Sequence, residues 1–179
     1  MEKEFTINVF SENYIGLLNR LTIIFTRRKI NIESLTVSES HIKGIHCFTI
    51  VVKTTDSMVR KVVQQIEKVV DVLKAFYYTS DQIIFQEIAL YKVPTSSLTM
   101  GSGIETLVRE YQARILDITP EYTVIEKTGH KEETQALMKK LKQYGLLEFI
   151  RSGRVAITKP MKELTVHLQE REMQYNYNN

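Results

Sequence analysis

The residues best suited to chemistry lie early, in the stretch Ser11-Glu12-Asn13-Tyr14-Ile15-Gly16-Leu17-Leu18-Asn19-Arg20. The chemistry they suit is recognition of a small anion that carries an aliphatic group. A glycine where a helix opens lets another molecule approach the backbone, and the free N–H groups of a first helical turn attract a carboxylate. Asn13 adds a donor and an acceptor, while Ile15 and Leu17 add apolar surface. An amino acid has the matching groups. A plain turn shaped by Asn13 and Gly16 accounts for the same spacing, so the loop alone does not decide.

Catalysis would leave a different trace, and the sequence does not carry one. His41, His46, His130 and His167 have no cysteine partner, and the one close pair, His41 with His46, lacks the spacing of metal ligands on a helix or strand. Gly101-Ser102-Gly103 resembles half of a dinucleotide loop, but Thr106 stands where the third glycine belongs. Glu132 and Glu133 fall in a predicted first helical turn, where the helix dipole explains them. No catalytic residue, cofactor or metal is expected. Lys43-Gly44-Ile45-His46-Cys47-Phe48-Thr49-Ile50 opens like an RNA-recognition strand, yet Ile45, Cys47 and Ile50 replace the stacking aromatics.

The elements that must position the loop follow from periodicity. Residues 3–10 alternate as a strand, and Leu17, Leu18, Leu21, Ile24 and Phe25 make one stripe of a helix ending near Lys29. Ile30 to Ser38 and Gly44 to Lys53 read as strands, the second so continuously apolar that both its faces should be covered. Thr54-Thr55-Asp56-Ser57 supplies helix caps for a second stripe from Met58 to Val69, and Val72 to Tyr78 closes a βαββαβ unit. The order then repeats. Ile83 to Val93 is a long strand, 94–103 has the composition of a mobile loop, and Ile104, Leu107, Val108 and Tyr111 stripe a short helix. Strands at Arg114 to Thr119 and Tyr122 to Lys127, a helix through Leu137, Leu141 and Tyr144, and a strand from Leu146 to Ile157 broken at Gly153 complete the second unit.

The fold class predicted is therefore α+β, with two consecutive ferredoxin-like βαββαβ domains, 1–80 and 81–159, each a four-stranded antiparallel sheet with two helices on one face, and a polar tail at 160–179. Cores this small gain from association through an edge strand or an open sheet face. The charge balance, +3 over 179 residues, is too small to indicate nucleic acid, and the basic run Arg27-Arg28-Lys29 suits a helix C-terminus. The N-terminus carries acidic residues without a long apolar run, and no stretch approaches the roughly 20 apolar residues of a membrane span. A cytoplasmic protein without a membrane partner is expected. Cys47 is the single cysteine, and its alternation with Ile45, Thr49 and Val51 makes it a packing residue.

Several runs carry a family resemblance: Asn13-x-x-Gly16-x-Leu18-x-Arg20, Ile30-Asn31-Ile32-Glu33-Ser34-Leu35-Thr36-Val37, Val69-Val70-Asp71-Val72-Leu73, Glu87-Ile88-Ala89-Leu90-Tyr91-Lys92-Val93, Ile115-Leu116-Asp117-Ile118-Thr119-Pro120 and Arg151-Ser152-Gly153. From about Glu4 to Lys159 the chain resembles the small, regulatory subunit of acetolactate synthase (acetohydroxyacid synthase), an ACT-domain family. The resemblance implies a subunit without catalysis of its own. It would bind and activate the thiamine-diphosphate-dependent catalytic subunit and confer feedback inhibition by a branched-chain amino acid, commonly valine, held between two ACT domains. It implies that Asn13, Gly16 and Asn31 bind that effector, with Leu17, Leu18 and Ile32 beside them. Tyr14 and Ile15 replace small or acidic residues, which bears on effector choice, and Lys29 replaces the usual glycine, which bears on the approach to Asn31. A stand-alone ACT-type amino-acid sensor is the alternative, and an RNA-binding module a remote one.

Strand direction gives a separate reason for a paired site. In a sheet of order 4-1-3-2 the first two strands run the same way, so Asn13, after the first, and Asn31, before the second, lie about a strand length apart, on the order of 25 Å. One amino acid cannot touch both. If two chains pair their second strands about a two-fold axis, Asn31 of one comes to the end where Asn13 of the other lies. The second domain, the 94–103 loop and the tail are then the expected contacts for the catalytic subunit.

Overall fold

Strands and helices alternate as the periodicity requires in a computed structural model, which describes residues 1–99 and 103–159. Residues 100–102 of the 94–103 loop and the tail at 160–179 lie outside the described residues. The chain divides into two compact units, one of Met1–Ile84 together with the segment from Ala156 and one of Phe85–Val155.

The first unit contains β1 (Lys3–Glu12), α1 (Leu17–Arg27), β2 (Ile32–Glu39), β3 (Ile45–Thr54), α2 (Asp56–Ile66) and β4 (Val72–Tyr78). Its antiparallel sheet has the order β2-β3-β1-β4. Because β1 and β2 are each antiparallel to β3, they run in the same direction, with β2 on an edge. Alternate residues of β1 (Phe5, Ile7, Val9) and β3 (Phe48, Ile50, Val52) face the helices and meet Leu21, Phe25, Val59 and Ile66 in one core. β3 is buried at five successive positions, Phe48 to Val52, where a half-exposed strand would alternate.

Local chemistry fixes the helix ends. The Thr55 hydroxyl accepts from the Met58 N–H at 3.3 Å and caps α2. At the end of α1 the Ile30 N–H donates to the Phe25 carbonyl and the Lys29 N–H to the Thr26 carbonyl, both at 3.0 Å. That pair of bonds closes the helix with Lys29 in the left-handed region, φ 57°. Ile30 then packs on the core that contains Phe25.

The second sheet and its helices comprise β5 (Ile83–Pro94), α3 (Ser96–Thr99), α4 (Gly103–Glu110), β6 (Arg114–Ile118), β7 (Tyr122–Gly129), α5 (Lys131–Leu141), β8 (Glu148–Arg151) and β9 (Val155–Thr158). Two features depart from the expected four strands and open loop. Ser96–Thr99 is a single helical turn, not loop, because Leu98 reaches the second core and its N–H returns to the Thr95 carbonyl at 3.0 Å. The last expected strand divides at Ser152-Gly153-Arg154, and its second half, β9, pairs with β5 as a fifth strand beyond the order β6-β7-β5-β8.

The Arg151-Ser152-Gly153 run pins that return. Arg151 Nε lies 3.1 Å from the buried Glu87 carboxylate, and Ser152 brackets Ile88, donating its N–H to the Ile88 carbonyl at 2.8 Å and accepting the Ile88 N–H on its hydroxyl at 2.9 Å. Arg154 stacks over the Phe85 ring at 3.7 Å. Beneath the sheet, Tyr91 is fully buried and donates to the Thr134 carbonyl at 2.7 Å, and burial pushes its hydroxyl pKa well up. Glu133, in the first turn of α5, accepts the His130 N–H at 2.6 Å and so caps the helix in addition to meeting its dipole.

Candidate functional site

The loop between β1 and α1 is held at both ends. The Glu12 N–H donates to the Asp71 carbonyl at 3.1 Å, the Tyr14 N–H to the Glu12 carbonyl at 3.2 Å, and the Leu17 N–H to the Tyr14 carbonyl at 3.3 Å. Gly16 then caps α1 at φ 85°, and a Cβ there would meet nothing within 4 Å. Open space therefore lies over the glycine, while its backbone angle disfavours any side chain. The Gly16 cap offers no side-chain hydrogen bond to the first turn of α1, and with the Leu17 N–H taken by the Tyr14 carbonyl the Leu18 and Asn19 amides are left without an intrahelical partner.

The expected site residues separate by exposure. Leu17 is 2% exposed and belongs to the core, whereas Leu18 is 44% exposed and Ile15 fully so. Asn13 and Gly16 are exposed beside them. At the other end of the sheet Asn31 is exposed, with its amide Nδ2 donating to Glu33 Oε1 at 3.3 Å, and the half-buried Ile32 packs on the first core. Asn13, Gly16 and Leu18 thus form one group and Asn31 with Ile32 another. The register measures the gap. Ile32 lies level with Val52 and hence with Phe5, and Glu12 lies level with Ile45. The two groups are separated by most of β1, about 25 Å at roughly 3.3 Å per residue.

Other chemical candidates have structural work. Cys47 is half-buried, and burial pushes its thiol pKa up against a weaker opposing hydrogen bond with Thr49. The His130 ring packs edge-on against Phe85 at 4.3 Å. Among the described residues no group of three or more His, Cys, Asp or Glu is placed to hold a metal ion, and no helix is long and apolar enough to cross a membrane.

Comparison with known proteins locates this geometry in a family. The model of the acetohydroxyacid synthase (AHAS) small subunit-like ACT domain matches residues 7–74, and the model of the small subunit of acetolactate synthase matches residues 86–160. The acetolactate synthase small subunit of Mycolicibacterium smegmatis is 34% identical over 154 residues, covering 86% of this chain and 90% of that one. The chain belongs to the acetolactate synthase small-subunit family. The small subunit of Bacillus subtilis is 32% identical over 160 residues, covering 89% and 91% of the two chains. The crystal structure of the Thermotoga maritima small subunit superposes with a TM-score of 0.80 at 28% identity, covering 89% of this chain and 99% of that one.

Within this small-subunit fold the structure adds an ion pair that spacing did not assign. Arg20 forms an ion pair with Asp71, whose backbone carbonyl also holds Glu12, so the turn before β4 braces the loop before α1. Both residues stand in the runs that carry the family resemblance, and their opposite charges are the one signal that could have paired them. Lys29, which stands where the resemblance expects glycine, takes a left-handed backbone and leads directly into Ile30 and Asn31.

Proposed function

We propose that this small subunit activates the catalytic subunit of acetolactate synthase and makes it sensitive to a branched-chain amino acid, most simply valine, bound between two copies of the Met1–Ile84 unit. The observation that carries the reading is the separation of Asn13 and Asn31 to opposite ends of parallel strands, with the intervening edge of β2 free of any described strand. Two-fold pairing of β2 edges brings Asn31 and Ile32 of one copy to the Asn13, Gly16 and Leu18 group of the other, giving two equivalent sites per dimer. The amides at Gly16 and α1 receive the carboxylate, the two asparagines take the ammonium and remaining polar contacts, and Leu18 and Ile32 receive the aliphatic group. Leu17 supports from beneath.

Regulation follows from differential affinity alone. A ligand shared by two copies favours the dimer geometry it fits, and the attached enzyme responds only as far as its own active form prefers or opposes that geometry. The Phe85–Val155 unit is left to engage the catalytic subunit. Reconstitution tests the reading: adding this chain to its catalytic subunit raises acetolactate formation, and valine then lowers it. No activation on mixing, with valine still shifting the thermal stability of the isolated chain, would instead favour a stand-alone sensor.

A further inference from the structure

The first sheet is buried on the face turned away from α1 and α2. β1 is buried at five successive positions, Phe5 to Val9, as β3 is from Phe48 to Val52. Phe5, Ile7 and Val9 meet the helices, so Thr6 and Asn8 face the other way, level with Val51 and Thr49 of β3 and with Tyr78 and Phe76 of β4. Thr6 is 1% exposed, Val51 3% and Asn8 5%, and Val51 has no place in the helix-side core. Beside them Phe76 meets Phe10 edge-on at 6.3 Å and stacks on Tyr78 at 6.2 Å. Strands buried on both faces belong to a sheet with a layer on each side.

One stretch of the chain is placed to supply that layer. The segment from Ala156 belongs to the first unit, and Lys159 is tied to the turn Ser80–Gln82 that follows β4. Its N–H donates to the Gln82 carbonyl at 3.0 Å and its Nζ to the Asp81 carbonyl at 2.7 Å. Residue 160 therefore begins one turn beyond Tyr78, at the Thr6 end of the buried face. Pro160 suits the first position of a helix, and at helical spacing Met161, Leu164 and Leu168 share one side.

Reach and charge agree with that placement. Residues 161–172 span about 18 Å at roughly 1.5 Å per residue, and the step from Thr6 to Phe10 along β1 is about 13 Å at roughly 3.3 Å per residue. Glu172 falls on the Met161 side of the stretch, and at that reach it comes to the level of Lys74, which lies beside Phe10. We infer that residues 160–179 lie across this face of their own chain's first sheet, with Met161, Leu164 and Leu168 against it. The inference stands apart from the effector reading, and it assigns the tail to the first unit instead of to contact with the catalytic subunit.

Cys47 reports on the cover, since it is the single cysteine and lies on the same face, level with Phe10 and half-buried. In the full chain, Leu164→Asp combined with Leu168→Asp should speed alkylation of Cys47 by iodoacetamide about tenfold or more at fixed pH. Glu163→Gln, on the opposite side of the stretch, should leave the rate unchanged. A protease site placed between Lys159 and Pro160 gives a second route that does not depend on how a variant folds: cutting the folded chain and diluting it should produce the same rise. Equal rates in the native, doubly substituted and cut chains overturn the inference. A rise with Glu163→Gln as large as with the leucine pair overturns it too. Protection of the uncut native chain that fades on dilution also overturns it, because the cover then comes from a second copy.

Discussion

Glu126 shows how a carboxylate is kept buried within a strand. It is buried at the middle of β7, accepts from the Thr128 hydroxyl at 2.8 Å and pairs with Arg114. The Thr128 hydrogen bond, aided by Arg114, holds its carboxyl below the ordinary carboxylate range despite burial. A carboxyl depressed in the folded state stabilises the fold above its unfolded pKa and loses that contribution as pH falls through the folded value. The second unit is therefore expected to weaken below about pH 4.3, the ordinary glutamate pKa. Thr128→Val should flatten that part of the acid limb, and urea denaturation from pH 6 to pH 3 would show it. Equal pH slopes in the variant and the native sequence would contradict the assignment.

At the scale of elements, Lys29 carries a local cost. The α1 cap needs a left-handed residue, and a side chain in that region costs about 1–2 kcal/mol, partly offset because glycine has more unfolded freedom to lose. Lys29→Gly should therefore stabilise the first unit by about 0.5–1 kcal/mol, readable as a higher urea midpoint at unchanged slope. A lower midpoint would mean that the lysine side chain makes a contact worth more than the strain.

The same scale separates what was legible from what was not. Stripes such as Leu17, Leu21, Ile24 and Phe25 predict their helix because burial itself writes the period. Strand order followed from the ferredoxin-like pattern, and with it the separation of Asn13 from Asn31. Leu17 and Leu18 are neighbours in sequence, but a step of about 100° around a helix sends one into the core and the other outward. The turn at Ser96–Thr99 was hidden because its stabilising contacts come from elsewhere: Ser97 donates to the Tyr144 carbonyl at 2.8 Å and Thr95 to the Thr119 carbonyl at 2.7 Å. β9 was hidden because Gly153 reads as an interruption, whereas the chain bends there and continues pairing with β5. The ion pair of Arg20 with Asp71 joins two distant runs, which no local period encodes.

For the whole molecule the central claim is that one effector site needs two chains. Asn13→Ala removes one half of every site and Asn31→Ala the other, so each variant alone should bind no valine at concentrations that saturate the native chain. The mixture distinguishes a shared site from two independent effects. In a heterodimer one site pairs the two alanines and the other pairs the two asparagines, so one of its two sites is intact. With free exchange of subunits at equal amounts about half the dimers are mixed, and titration calorimetry should recover about one quarter of the native number of valine sites at near-native affinity. No recovery in exchanged, demonstrably mixed dimers, or full valine binding by either single variant, would contradict the shared site.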